Sequence, residues 1–128
     1  MKLLLDTNAF IWASREPNRL TAKARRAVSD PYNERFVSIA SLWEMQIKHG
    51  LGKLSLPANI DDLARSWIRP LAAQILPVQL RHLGRLYRLA PAHRDPFDRI
   101  LVAQAIDEDM SIVTADEAFN LYSAPVVW

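Results

Sequence analysis

Short apolar runs alternate with longer stretches of helical spacing along this chain. The short runs are Lys2–Leu5, Phe36–Ser38, Gln74–Leu76, Ser111–Thr114 and Val126–Val127, and they read as strands. Between them, apolar residues recur at helical intervals over Ala9–Ser14, Thr21–Ser29, Ala40–His49, Ile60–Trp67, Gln79–Tyr87, Pro96–Asp109 and Glu117–Leu121. Strands separated by helices predict an α/β protein with a mainly parallel central sheet. The stretch from Pro57 to Leu76 is the least sharply patterned.

Two of the apolar runs end abruptly in polar residues. Leu3, Leu4 and Leu5 lead into Asp6, Thr7 and Asn8, and Ile112–Val113 leads into Thr114 and Asp116. Asp6 also stops the opening apolar run well short of the ~7–15 residues that a secretory signal needs. Each aspartate could cap the helix that follows. Each also stands at the carboxyl end of a strand, where open α/β sheets place their ligands.

Two more acids lie on helices. In "SIASLWEMQIKHG", Ile39, Trp43 and Ile47 recur every four residues, and Leu42 and Met45 widen that apolar side. Ser41, Glu44 and Lys48 form a polar stripe, so Glu44 either pairs with Lys48 at i+4 or points into a polar cleft. In "HRDPFDRILVAQAID", Asp95 before Pro96 reads as an N-cap with proline at the first helical position. Asp98 then falls in the first turn without a structural task as strong as that of Asp95.

The 128 residues suggest one domain, and a hydrophobic fraction of 50% with 23% charged residues suits a globular core. The absence of cysteine excludes disulfides and thiolate metal sites and suits the cytoplasm. No apolar run approaches the ~18 residues of a membrane span. Net charge is only +2, but setting aside Asp6, Glu44, Asp98 and Asp116 leaves ten acids against sixteen bases. An acidic centre in a basic surround suits a nucleic-acid hydrolase that recruits its own cation. Clustered carboxylates repel unless a cation neutralises them, and an all-oxygen set points to Mg²⁺ or Mn²⁺ rather than Zn²⁺. His49, His82 and His93 read as surface or packing residues.

The segments "LLLDTN", "SIASLWEMQIKHGLGKL", "HRDPFDRILVAQA" and "IVTAD", in this order, closely resemble the PIN-domain ribonucleases, and within them the VapC toxins of bacterial toxin–antitoxin pairs. The resemblance runs from Leu3 to the end of the chain and implies a single PIN domain over residues 1–128, a three-layer α/β/α sandwich. It implies that Asp6, Glu44, Asp98 and Asp116 form an acidic metal-binding and catalytic quartet, with Thr7, Asn8, Ser38 and Thr114 in support. It further implies Mg²⁺-dependent endoribonuclease activity, an antitoxin partner and a homodimer or toxin–antitoxin hetero-oligomer. Arg99, beside Asp98, is either a phosphate clamp or an ordinary surface residue. Two other readings stand beside this one. A phosphatase with a strand-end aspartate nucleophile would carry a second aspartate at position 8, where this chain has Asn8. A non-catalytic module would keep the fold but bind no metal.

Overall fold

The computed structural model describes residues 1–128. Five strands pair in the order β3-β2-β1-β4-β5. They are β1 (Lys2–Leu5), β2 (Glu34–Ser38), β3 (Ala73–Leu76), β4 (Ser111–Val113) and β5 (Val126–Val127), and every pairing is parallel. β1 is central, which explains its unbroken leucines: Leu3, Leu4 and Leu5 are all fully buried. Each such side chain contributes about 1.5–3 kcal/mol by leaving water.

The pleat sorts these leucines between two cores. Leu3 and Leu5 pack with Phe10, Val28, Leu63 and Trp67, beneath α1 (Thr7–Arg15), α2 (Ala22–Ser29) and α4 (Ile60–Leu63). Leu4 packs on the opposite face with Leu101, Val102, Ala105 and Phe119, where α6 (Pro96–Asp107) lies, with α5 (Leu80–Tyr87) against it. The result is a three-layer α/β/α sandwich. No helix is long and apolar enough to cross a membrane.

The structure departs from the sequence pattern in three places. In α3 (Ile39–Gly50) the polar stripe turns inward: Ser41 and Glu44 are buried, while Ile39, Trp43 and Ile47 are 44%, 60% and 40% exposed. Helical spacing identifies an apolar stripe but does not say which side of the helix meets the sheet. The predicted helix Ile60–Trp67 is only one turn of α-helix, continued by a π turn over Ala64–Ile68 that carries Trp67 and Ile68 into the core. Finally, α6 stops at Asp107, two residues early. Asp109 adopts a left-handed φ of 56°, and Met110 N–H reaches back to the Ala105 carbonyl at 2.8 Å, closing the helix end.

Candidate active site

Strand register brings the site together. Leu5 lies opposite Val37 on one side and Val113 on the other, so the next residues, Asp6, Ser38 and Thr114, emerge side by side at the carboxyl edge of the sheet. This edge is where β1 sends its neighbours off in opposite directions, the crevice that open α/β sheets use for ligands.

Asp6 caps the helix that follows and also engages the neighbouring strand end. Its Oδ1 accepts the Ala9 N–H at 2.7 Å and caps α1, while its Oδ2 accepts the Thr114 hydroxyl at 2.6 Å. Burial pushes its pKa up to about 6 against those two hydrogen bonds, and the charges of Asp116 and Glu44 raise it further. Glu44 likewise does two things. Its Oε1 accepts the Thr7 hydroxyl at 2.6 Å, and its Oε2 pairs with Lys48 at 3.1 Å. Thr7 also reaches Ser41 at 3.0 Å, which ties α1 to α3 beneath the site.

The two aspartates of "DPFD" divide their tasks. Asp95 caps α6 through the Phe97 N–H at 2.9 Å. Asp98 is left without a capping bond, and its pKa rises to about 7 through burial, then through the charges of Asp95, Asp6 and Glu44, against the lowering influence of His93. Asp116 lies at the rim, its side chain 46% exposed. Its pKa is held low by the Ala118 N–H it accepts and by His93.

The sequence reads His93 as a surface or packing residue, and the structure adds a contact with the acidic site. Its Nε2 stands 3.1 Å from Asp98 Oδ2 and 3.0 Å from Asp116 Oδ2. Its Nδ1 accepts the Asp95 N–H at 3.1 Å, its backbone N–H donates to the Tyr122 hydroxyl at 2.7 Å, and its ring meets Phe119 edge-on at 5.7 Å. Because Nδ1 is an acceptor, the proton sits on Nε2, which therefore donates to Asp116 Oδ2 and stands beside Asp98 Oδ2. The "HRDP" spacing is the sequence signal that could have found it: the loop is short enough to turn residue 93 back onto the first turn of α6.

The supporting residues behave differently from one another. Thr7 and Thr114 hold carboxylate oxygens, whereas Ser38 caps α3 through the Ala40 N–H at 3.0 Å. Asn8 is exposed on the first turn of α1. Arg99 donates to the Ala90 carbonyl at 2.9 Å and approaches the Tyr122 hydroxyl at 3.4 Å, so its guanidinium braces the loop before α6.

The site thus sets buried Asp6 and Glu44, half-buried Asp98 and, at the rim, Asp116 around one edge of the sheet; the trio here whose ligand atoms all lie within 4.8 Å of one another is His93, Asp98 and Asp116. The PIN domain sequence profile matches residues 3–124. The chain belongs to the PIN domain family. No curated protein matches it in sequence. Among solved structures, this PIN chain is similar to DNA-bound VapBC from Salmonella typhimurium, with a TM-score of 0.70, 16% identity and coverage of 98% of this chain and 96% of that one. It is also similar to VapBC2 from Rickettsia felis bound to a promoter fragment (0.66, 18%, 98% and 97%). A third likeness is to FitAcB from Neisseria gonorrhoeae (0.65, 22%, 97% and 95%). At these identities the likeness is one of fold.

Proposed function

We propose that this PIN domain is a metal-dependent endoribonuclease and the toxin of a bacterial toxin–antitoxin pair, acting in the cytoplasm. The observation that carries the reading is the pair Asp6 and Asp98, one buried and one half-buried at the same sheet edge as Glu44 and Asp116, with their ionisation suppressed. Buried carboxylates that repel one another are stabilised in their charged form by a bound cation. Carboxylates and hydroxyls line the floor of the site, and the one nitrogen beside them, His93 Nε2, carries a proton, which fits Mg²⁺, with Mn²⁺ as a substitute. Asp6, Glu44, Asp98 and Asp116 would hold it. Such an ion, when bound, polarises a phosphodiester and acidifies water.

The chain's own residues then have defined tasks. Thr114 and the Ala9 N–H fix the plane of the Asp6 carboxylate, and Thr7 fixes that of Glu44. His93 stands against one oxygen each of Asp98 and Asp116, and the Ala118 N–H holds the other oxygen of Asp116, so both carboxylates are oriented before any ion would bind.

Partner surfaces also support the reading. The bulky residues of α1, α4 and the π turn after it are mostly core: Phe10, Leu63, Trp67 and Ile68 are buried, whereas Ile11 and Trp12 are half-buried and Ile60 is exposed. Ile11 and an edge of Trp67, with Leu54, Leu56 and Pro57, line an open depression suited to an antitoxin segment. The similar VapBC and FitAB structures are of such pairs. A larger apolar groove of about 580 Å³ lies on the opposite side, lined by Ile39, Trp43, Val78, Leu83, Phe97 and Ile100, and suits a second copy of the chain.

Cleavage of a labelled RNA by the purified protein tests the activity. Mg²⁺ or Mn²⁺ should support it, Ca²⁺ should support it poorly, and chelator should stop it until metal is restored. Cleavage that continues in excess chelator would overturn the metal requirement.

A further inference from the structure

A second cleft opens directly off the acidic site. It lies between the end of α3 and the start of α6, with a volume of about 480 Å³. Glu44 forms its inner wall and is shared with the acidic site, since one of its oxygens meets Thr7 while the other meets Lys48. The remaining walls combine cations with exposed apolar groups. Lys48, Lys53 and Arg94 supply the cations, and Ile47, Leu51 and Phe97 the apolar surface.

This combination is built by the backbone. Gly52 has a φ of 73°, which reverses the chain after α3 and lets Lys53 N–H reach the Lys48 carbonyl at 2.9 Å. Lys53 is thereby folded back beside the helix end. Arg94 is placed from the other side. Its neighbour His93 is pinned to Asp98 and Asp116, so in this short loop Arg94 is directed away from the acids and into the cleft.

Neither Lys53 nor Arg94 has an acidic partner within 4.0 Å. Of the two acids in the lining, Glu44 is already paired with Lys48, and Asp95 is committed to capping α6. The apolar floor is equally unsatisfied: Ile47 is 40% exposed and Leu51 65%. Phe97 is held at a fixed angle by Trp43, with ring centroids 5.3 Å apart. Unpaired cations beside an open apolar floor are what a flexible nucleic-acid strand requires, cations for its phosphates and a flat apolar surface for a base.

We propose that this cleft is a nucleotide subsite for an unpaired RNA strand next to the scissile phosphodiester. Lys53 and Arg94 hold a flanking phosphate, and a base lies on Ile47, Leu51 and Phe97. A base can reach that floor only when it is unstacked, so the subsite selects single strands over duplex. The proposal rests on the nuclease reading, and it names how that site would receive its substrate.

The test uses the full chain in Ca²⁺ with a fluorescent single-stranded RNA, binding being read by anisotropy over a range of salt. Lys53→Glu with Arg94→Glu should weaken binding about 10-fold or more at low salt and reduce the log–log salt slope by about 1.4, two cation contacts on a single strand. Arg25→Glu with Arg26→Glu, exposed on α2, is the control and should change binding little. Leu51→Ser should weaken the single strand but not a duplex of the same sequence. Unaltered binding in the Lys53/Arg94 variant, or an equal loss in the control, overturns the subsite. If the wild type cleaves RNA and that variant cleaves with the same kcat and KM, the subsite falls and the nuclease reading stands. If the wild type cleaves nothing in Mg²⁺ or Mn²⁺ yet the variant loses binding as described, the nuclease reading falls and the subsite stands.

Discussion

The two ends of α6 carry nearly the same set of groups in opposite electrostatic condition. At its start, His93 stands between Asp98 and Asp116. At its end, His82 stands beside Asp107 and Glu108. Each cluster brings a histidine and two carboxylates within 4.8 Å of one another, a spacing that could hold a metal. At the end of the helix the protein supplies its own cations: Arg81 pairs with both Asp107 and Glu108, and Arg85 lies 3.9 Å from Asp107. Glu108 is accordingly held below the usual carboxylate range, first by its hydrogen bond from His82 and then by Arg81. At the start of the helix no arginine pairs with Asp6, Asp98 or Asp116, and Asp6 and Asp98 are pushed up instead. Similar residues therefore mean different things: one cluster is a completed ion-pair network, and the other is short of positive charge. The helix dipole works against this contrast, since it favours acids at a helix N-terminus and disfavours them at the C-terminus; burial at the start of α6, and His82 with the arginines at its end, outweigh it.

The largest effects should come from neutralising the uncompensated end. Asp6→Asn, Glu44→Gln and Asp98→Asn should each reduce RNA cleavage by more than about 100-fold, beyond the 10–100-fold typical of residues that only orient a ligand. Melting of the metal-free variants should be unchanged or higher, since each removes repulsion among the acids. In the same assay Asp107→Asn should leave cleavage and metal binding as in the wild type. A metal titration that loses its signal in Asp107→Asn but keeps it in Asp98→Asn would reverse the assignment of the two ends.

His93→Ala should come next, with cleavage and Mn²⁺ affinity both falling about 10–100-fold. Its Nε2–H is a donor and not a ligand, so the loss should act through the placement of Asp98 and Asp116. His93→Gln, which can still donate from an amide nitrogen, should recover part of the affinity. Equal metal affinity in His93→Ala and the wild type would remove His93 from the site's support.

The same contrast shows what the chain discloses before it folds. The strand ends at Asp6 and Asp116 and the division of labour in "DPFD" were legible because caps, proline and short apolar runs are local signals. The sandwich was legible for the same reason, from apolar runs alternating with helical spacing. The inward face of α3 was not: an apolar stripe turned outward has the same period as one turned to the core, so the spacing of Ile39, Trp43 and Ile47 does not disclose that they are exposed. His93 and His82 were illegible because their roles depend on contacts distant in sequence, with Asp116 in one case and Glu108 in the other. Nothing local distinguishes a histidine that will meet two uncompensated acids from one that arginines will neutralise.

At the completed end the expected effects are on stability. His82 is fully buried, and its Nδ1 accepts the Gln79 N–H at 3.0 Å, closing a capping box at the start of α5. His82→Ala should cost about 2–4 kcal/mol by denaturant melting, from lost packing and an unpaired backbone donor. Arg81 is half exposed, so Arg81→Ala should cost only about 1 kcal/mol. Cleavage per folded molecule should be unchanged in both. A loss of cleavage with the fold intact would mean that the two ends of α6 are coupled.

The smallest effect is a pH dependence, and its sign separates the two ends once more. Asp6 and Asp98 titrate at about 6 and about 7 in the fold, against 3.8 as unperturbed carboxyls. Between those values the folded chain binds more protons than the unfolded chain, so stability falls as pH rises. Asp116 and Glu108, held low, act in the opposite sense: the stability they add is present above their unfolded values of 3.8 and 4.5 and is lost only at more acidic pH. Across the window from pH 5 to pH 8 the low-held pair therefore adds little change, and the Asn variants single out what Asp6 and Asp98 contribute. In chelator the protein should lose about 1–3 kcal/mol across that window, and Asp6→Asn or Asp98→Asn should each flatten the profile. Saturating Mg²⁺ should invert it, because protons compete with metal for the same carboxylates and binding strengthens as they leave. A metal-free profile that is flat, or that rises toward pH 8, would show that the acids at the start of α6 are already compensated, as those at its end are.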